Sequence, residues 1–209
     1  MQKANCYLLA GPNGAGKSEN ANVYIPHQIS VFNGDLILQE LQKKHPSIES
    51  VRLAGAVSQQ LENKRYRALL LNEDFGFETN YSADLTTELV LQFKSEGYRI
   101  NLVYFGMDDV NECLLRVNER KINGGHNVPK DVVEFNFEEG IKRIHNDLYL
   151  YDSILFAQAV EKETQLVALY QDGRELYKFD QTPFWFEKHF KARMEDYIWE
   201  NDIGHSKGR

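Results

Sequence analysis

Residues Gly11-Pro12-Asn13-Gly14-Ala15-Gly16-Lys17-Ser18 spell G-x-x-x-x-G-K-S and follow directly on the apolar run Tyr7-Leu8-Leu9-Ala10. Few patterns of this length constrain a fold so tightly. A strand that ends in a glycine-rich turn and opens a helix aims successive backbone N–H groups, and the positive end of the helix, at one point in space. The glycines let the chain wrap a phosphate with no Cβ in the way. In that arrangement Gly11 to Ser18 cradle the phosphates, Lys17 reaches the β- and γ-phosphates, and the Ser18 hydroxyl holds Mg2+. A glycine turn alone would be only a flexible loop. The full pattern in strand–loop–helix context makes the chain a nucleoside triphosphate binder, with ATP and Mg2+ as the expected cofactors and GTP left open.

The 209 residues suffice for one domain with a real core, or one domain with a small appendage. A formal charge of −7 and a pI near 5.4 argue against a protein that coats nucleic acid. The two cysteines, Cys6 and Cys113, form no disulfide framework and lack metal-ligand spacing. Residues 1–10 hold one lysine and too short an apolar stretch for a secretory leader, and no run approaches a membrane span. A cytoplasmic location is therefore expected, with no membrane as partner. Apolar runs alternate with amphipathic stretches. The pattern predicts strands at 4–10, 29–32, 74–78, 100–105 and 153–157, with helices at 17–24, 35–44, 51–70, 85–96, 110–121 and 130–148. The pair 165–170 and 175–179 flanks Asp172-Gly173, a hairpin signal, and a last aromatic helix is predicted over Pro183–Trp199. Alternation of this kind implies an α/β fold of the P-loop NTPase type, a parallel sheet with helices on both faces, plus a small C-terminal hairpin and helix. Ligands in such sheets gather outside the carboxyl ends of the strands.

Two acidic residues stand just past such strand ends. Asp35, in Phe32-Asn33-Gly34-Asp35, is either the N-cap of the next helix or a general base that takes the proton of an acceptor hydroxyl. Glu78, in Gly76-Phe77-Glu78-Thr79-Asn80, either supports Mg2+ or holds substrate hydroxyls, or is a plain turn residue. Further on, Arg116 and Arg120 lie one helical turn apart. They precede the break Asn123-Gly124-Gly125-His126-Asn127-Val128-Pro129. Residues 116–129 read as a lid that brings guanidinium groups onto the transferring phosphoryl, or as a solvated helix face followed by an αα turn. His126 has no partner at metal-ligand spacing. The cluster Phe184-Trp185-Phe186 and Trp199 reads as helix packing rather than base stacking.

Taken together, the phosphate loop in its Gly-Pro-Asn-Gly-Ala-Gly-Lys-Ser form, Asn33-Gly34-Asp35, Phe77-Glu78-Thr79, the Arg116…Arg120…Gly124-Gly125-His126-Asn127-Val128-Pro129 segment and Tyr151-Asp152-Ser153 resemble the zeta-toxin family of P-loop kinases. The resemblance spans about three quarters of the chain, and its most discriminating part is the arginine-preceded lid. It implies an α/β kinase that takes phosphate from ATP and passes it to a hydroxyl of UDP-N-acetylglucosamine, with a protein antitoxin as partner. Carried onto this chain it makes Lys17, Asp35, Arg116 and Arg120 catalytic, and gives Ser18 to Mg2+. It puts Glu78, Thr79 and His126 at the acceptor. The chain departs from the family at Glu134-Phe135-Asn136, where many relatives carry consecutive arginines, and near His126, where the second lid arginine falls. Arg120 or Lys121 would then substitute. Two rival readings stay open: a kinase for another hydroxyl (nucleoside, antibiotic, polynucleotide 5′ end), and a nucleotide-dependent switch with weak ATPase activity.

Overall fold

The computed structural model describes residues 3–122, 128–160 and 163–206. Chain order is β1 (Asn5–Ala10), α1 (Lys17–Tyr24), β2 (Val31–Phe32), α2 (Gly34–Lys44), α3 (Ser50–Leu71), β3 (Phe75–Thr79), α4 (Asp84–Ser95) and β4 (Arg99–Phe105). It continues through α5 (Val110–Ile122), α6 (Lys130–Asp147), a 3-10 turn Leu148–Leu150, β5 (Ser153–Val160), β6 (Glu163–Gln171), β7 (Arg174–Lys178), α7 (Phe184–His189) and α8 (Lys191–Ser206). The seven strands form one sheet in the order β2-β3-β1-β4-β5-β6-β7. The first five run parallel. The predicted hairpin is continuous with them, since β6 pairs antiparallel with β5, and β7 with β6. The chain moves outward from β1 to β2, returns to β3 and crosses β1 to reach β4, connections that in parallel sheets are right-handed almost without exception.

Parallel strands covered on both faces read as apolar runs, and here they supply the core. Leu8, Leu9, Ile100, Leu102, Phe105, Ile154 and Phe156 are buried. Register sets the site. Leu9 pairs with Glu78 and Ala10 with Thr79, while Phe32 pairs with Phe77. The phosphate loop, the turn after β2 and the end of β3 therefore emerge side by side at one sheet edge.

The C-terminal aromatic segment departs from the expected single helix. It breaks at Phe190 (φ −123°, ψ −30°), giving α7 and α8. The reason lies in tertiary packing. Phe190 is buried, with its ring 4.9 Å from that of Tyr104 and 4.8 Å from that of Phe156. Trp185 and Phe186 join the same cluster, whereas Phe184 and Trp199 are exposed and pack against no core. Lys188 lies over the Phe184 ring instead.

Candidate active site

The phosphate loop is shaped by its glycines at two places. Gly11 has φ +142°, and a Cβ there would meet the Phe105 carbonyl oxygen at 2.2 Å. Gly14 has φ +84°, and its Cβ would sit 3.1 Å from Cβ of Arg116 and 3.2 Å from the Cys113 carbonyl oxygen. Only glycine accepts this conformation with so close a neighbour. The contact lays α5 directly against the loop. Gly16 caps α1 in the left-handed region without a side-chain hydrogen bond, so the first N–H groups of α1 are turned to the loop with no side-chain cap.

Lys17 is buried beneath the loop. Its ammonium donates to the carbonyl oxygens of Gly11 (2.7 Å) and Pro12 (2.9 Å) and to Oδ1 of Asn80 (3.0 Å). Burial pushes its proton affinity below that of an ordinary lysine. The carboxylates of Glu78 and Asp35 oppose this, and the Arg120 guanidinium adds to it. The charges of Asp35, Glu78 and Arg120 are thus all felt at Lys17. Ser18 Oγ donates to Oε2 of Glu78 at 2.7 Å. The Asn33 amide donates to Ser18 Oγ (3.0 Å) and to Glu78 Oε2 (2.6 Å).

Asp35 is not the cap of its helix. Asn33 is, accepting from the Leu36 N–H at 3.0 Å. Asp35 occupies the first turn of α2 and is exposed. It lines a cavity of about 220 Å3 together with Asn33, Glu78, Thr79, Asn80 and Ser82. Two carboxylates, Asp35 and Glu78, therefore face one chamber beside the phosphate loop. The chamber is smaller than the roughly 300–1,000 Å3 of pockets that engulf drug-sized ligands. It suits the reacting end of a substrate. Thr79 lines it too, but its hydroxyl is engaged, accepting from the Tyr81 N–H (2.9 Å) and bonded to the Thr86 hydroxyl (3.1 Å).

Arg116 packs on the loop through its Cβ, while its guanidinium is paired with Glu112 at 2.7 Å, one turn back on α5. Arg120 lies further along the same helix and is exposed. Residues 123–127, with His126 and the centre of the expected lid, lie outside the described residues. Sequence reasoning overlooked three amides. Asn80 holds Lys17. Asn33 joins Ser18, Glu78 and α2. Asn136, buried on α6, donates to Oδ1 of Asn13 in the loop (2.8 Å) and accepts from the Ser82 hydroxyl (2.6 Å). Asn136 belongs to the triplet that departs from the family's arginines, which was the one signal available. Of its neighbours, Glu134 pairs with Lys130 and Phe135 is exposed. Tyr151 of the last motif serves the core, donating to the Tyr81 hydroxyl at 2.5 Å, which in turn donates to Asp147 at 2.8 Å.

The fold has counterparts among solved structures. The chain is similar over 99% of its length, and 88% of the other, to a structure from the PezAT chromosomal toxin–antitoxin system of Streptococcus pneumoniae, at 14% identity and TM-score 0.63. It covers 76% of a chain in the AvrRxo1-ORF1:-ORF2 crystal structure with ATP, at 16% identity and TM-score 0.63 over 95% of its own length. The chain shares its fold with these proteins. In sequence it is 24% identical, over 130 residues, to an uncharacterised protein of Haemophilus influenzae, covering 62% of this chain and 90% of that one. No family model matches it. Among the described residues no helix is long and apolar enough to cross a membrane. The cavity lined by Asp35 and Glu78 lies at the carboxyl ends of the strands, where ligands of open α/β sheets gather. The donor set there suits Mg2+: a hydroxyl and a carboxylate, both hard oxygen ligands, stand at the end of the loop. Mg2+ is commonly held by one or two such groups with substrate phosphates completing its shell.

Proposed function

We propose that the protein is an ATP- and Mg2+-dependent small-molecule kinase. In this reading it transfers the γ-phosphate to a hydroxyl of a nucleotide sugar such as UDP-N-acetylglucosamine. The observation that carries this is the convergence of Asp35 and Glu78 on one cavity beside Lys17 and Ser18. The loop N–H groups and Lys17 bind the triphosphate tail, and Ser18 with Glu78 would hold Mg2+, which neutralises charge on the phosphates when bound. The acceptor hydroxyl enters the cavity between Asp35 and Thr79. Asp35 takes its proton as the new O–P bond forms and the bond to the β-phosphate oxygen breaks, leaving ADP. Arg116, released from Glu112, and Arg120 stabilise the charge that develops in transfer.

The fold's likeness to the toxin–antitoxin system protein supports a toxin role with an antitoxin as partner, and the ATP-containing neighbour supports ATP as donor. A cytoplasmic place of action belongs to the same reading. The test is product analysis by mass spectrometry after incubation with Mg2+, ATP or GTP, and a panel of UDP-sugars. A phosphorylated sugar is expected with wild type, and Asp35→Ala should lower its formation about 10²–10⁴-fold, the usual contribution of a positioned base. Equal turnover in the variant removes Asp35 from the mechanism. ATP consumption with no phosphorylated sugar removes the nucleotide-sugar acceptor and leaves a kinase for another hydroxyl or the switch.

A further inference from the structure

One side chain joins the cation-binding oxygens to the helix that bears the acidic residue at 35. Asn33 stands at the end of β2. Its amide nitrogen donates to both members of the Ser18–Glu78 pair, at 3.0 Å to Ser18 Oγ and 2.6 Å to Glu78 Oε2. Its carbonyl oxygen accepts from the Leu36 N–H at 3.0 Å and so caps α2. The consequence for Ser18 follows from hydroxyl chemistry. A hydroxyl has one hydrogen and two lone pairs. The hydrogen is directed to Glu78 at 2.7 Å, and one lone pair receives Asn33. A single lone pair remains for a cation. Without the Asn33 amide the hydroxyl keeps only its bond to Glu78, and the Glu78 carboxylate loses a charge-assisted anchor.

We propose that Asn33 is a positioning residue that fixes Ser18 and Glu78 for Mg2+ and, through its cap on α2, fixes the turn that carries Asp35. The proposal rests on the kinase reading above. It assigns two separable duties to one amide: the donors serve the cation site and the acceptor serves the helix. A cap is the ordinary duty of an Asn at this position, and the donor duty is seen in its contacts with Ser18 and Glu78.

The two duties come apart by substitution. In Asn33→Ser the helix cap is retained, since Ser caps about as well as Asn, but the side chain is too short and has too few hydrogens to serve both Ser18 and Glu78. Asn33→Ala loses cap and donors together. The experiment titrates Mg2+ into each full-length protein with a fluorescent N-methylanthraniloyl ATP and records thermal unfolding alongside. Asn33→Ser is expected to unfold at the wild-type temperature yet to need about 10–100-fold more Mg2+ for half-maximal nucleotide binding, the usual effect of losing a partner that orients a metal ligand. Asn33→Ala should show the same Mg2+ shift together with a lower unfolding temperature. An unchanged Mg2+ requirement in both variants, with only Asn33→Ala destabilised, overturns the proposal and leaves Asn33 a helix cap. Nucleotide binding by wild type that is indifferent to Mg2+ overturns both the proposal and the metal-dependent reading beneath it. That outcome is distinguishable from the first because it appears before any substitution is made.

Discussion

At the ends of β1, β2 and β3, the space between elements is filled by a lysine, a carboxylate, a serine and a set of amides, joined by hydrogen bonds and open on one side to a cavity. Across the sheet, under α7, the equivalent space is filled by rings: Tyr104, Phe156, Trp185, Phe186 and Phe190, with centroids 4.8–6.2 Å apart. Both regions rest on the same sheet, the first on β1, β2 and β3 and the second on β4 and β5. The first uses the strand ends to hold polar groups in fixed directions, at a desolvation cost visible in the lowered proton affinity of Lys17. The second is held mostly by burial, with the Trp185 indole N–H donating to Gln158 Oε1 at 3.1 Å. Function and stability are therefore expected to respond to different substitutions, and each prediction below can break that division.

A large functional loss is expected at Lys17. Replacing it with methionine removes the ammonium that three acceptors hold, and phosphoryl transfer should fall about 10²–10³-fold, as for other single donors aimed at developing charge. Unfolding temperature should change by only a few degrees. A protein that instead fails to fold would show that Lys17 is a structural strut. The mirror experiment is Phe156→Ala. Loss of a fully buried ring should cost about 3–5 kcal/mol, or roughly 10 °C in unfolding temperature for a chain of this size, while the folded fraction keeps its nucleotide affinity. Affinity lost in parallel with stability would mean that the two halves of the sheet are coupled.

A smaller effect sharpens the electrostatic part of the comparison. Burial lowers the proton affinity of Lys17, and a bound triphosphate favours its charged form. Nucleotide affinity should hold steady at neutral pH and begin to fall below the pH at which an ordinary lysine titrates, by at most about tenfold per pH unit because one proton is linked. Lys17→Arg, which stays charged throughout, should bind without that decline. Fluorescent-nucleotide titrations at successive pH values measure both. A wild-type affinity flat up to the ordinary lysine range would show that the loop does not perturb Lys17.

The phosphate loop was legible because its constraints are local: strand, glycines, lysine and helix are contiguous, and α1 begins at Lys17 as read from sequence. Asp35 was legible as a residue past a strand end, and Glu78, which falls within the last residues of β3 rather than beyond it, as a residue at the same sheet edge, since the register of a parallel sheet carries such positions together. What sequence could not supply was long-range amide pairing. The Asn136–Asn13 bond spans 123 positions, and an asparagine gives no periodic signal of its partner. Helix capping misled at Asp35 because asparagine and aspartate compete for the same duty two residues apart, and Asn33 holds it. The break at Phe190 was hidden for a similar reason. The segment is helical by pattern, and only the ring's place against Tyr104 and Phe156 divides it.

The central claim is that the acidic side chain in the first turn of α2 serves the terminal phosphate held by the loop. A crystal structure with a non-hydrolysable ATP analogue and Mg2+ tests this directly. The account predicts the γ-phosphate between Lys17 and the cavity, with the Asp35 carboxylate facing it across the space an acceptor hydroxyl would fill. An Asp35 carboxylate turned to solvent or to unrelated contacts, with nucleotide in the loop, would contradict it.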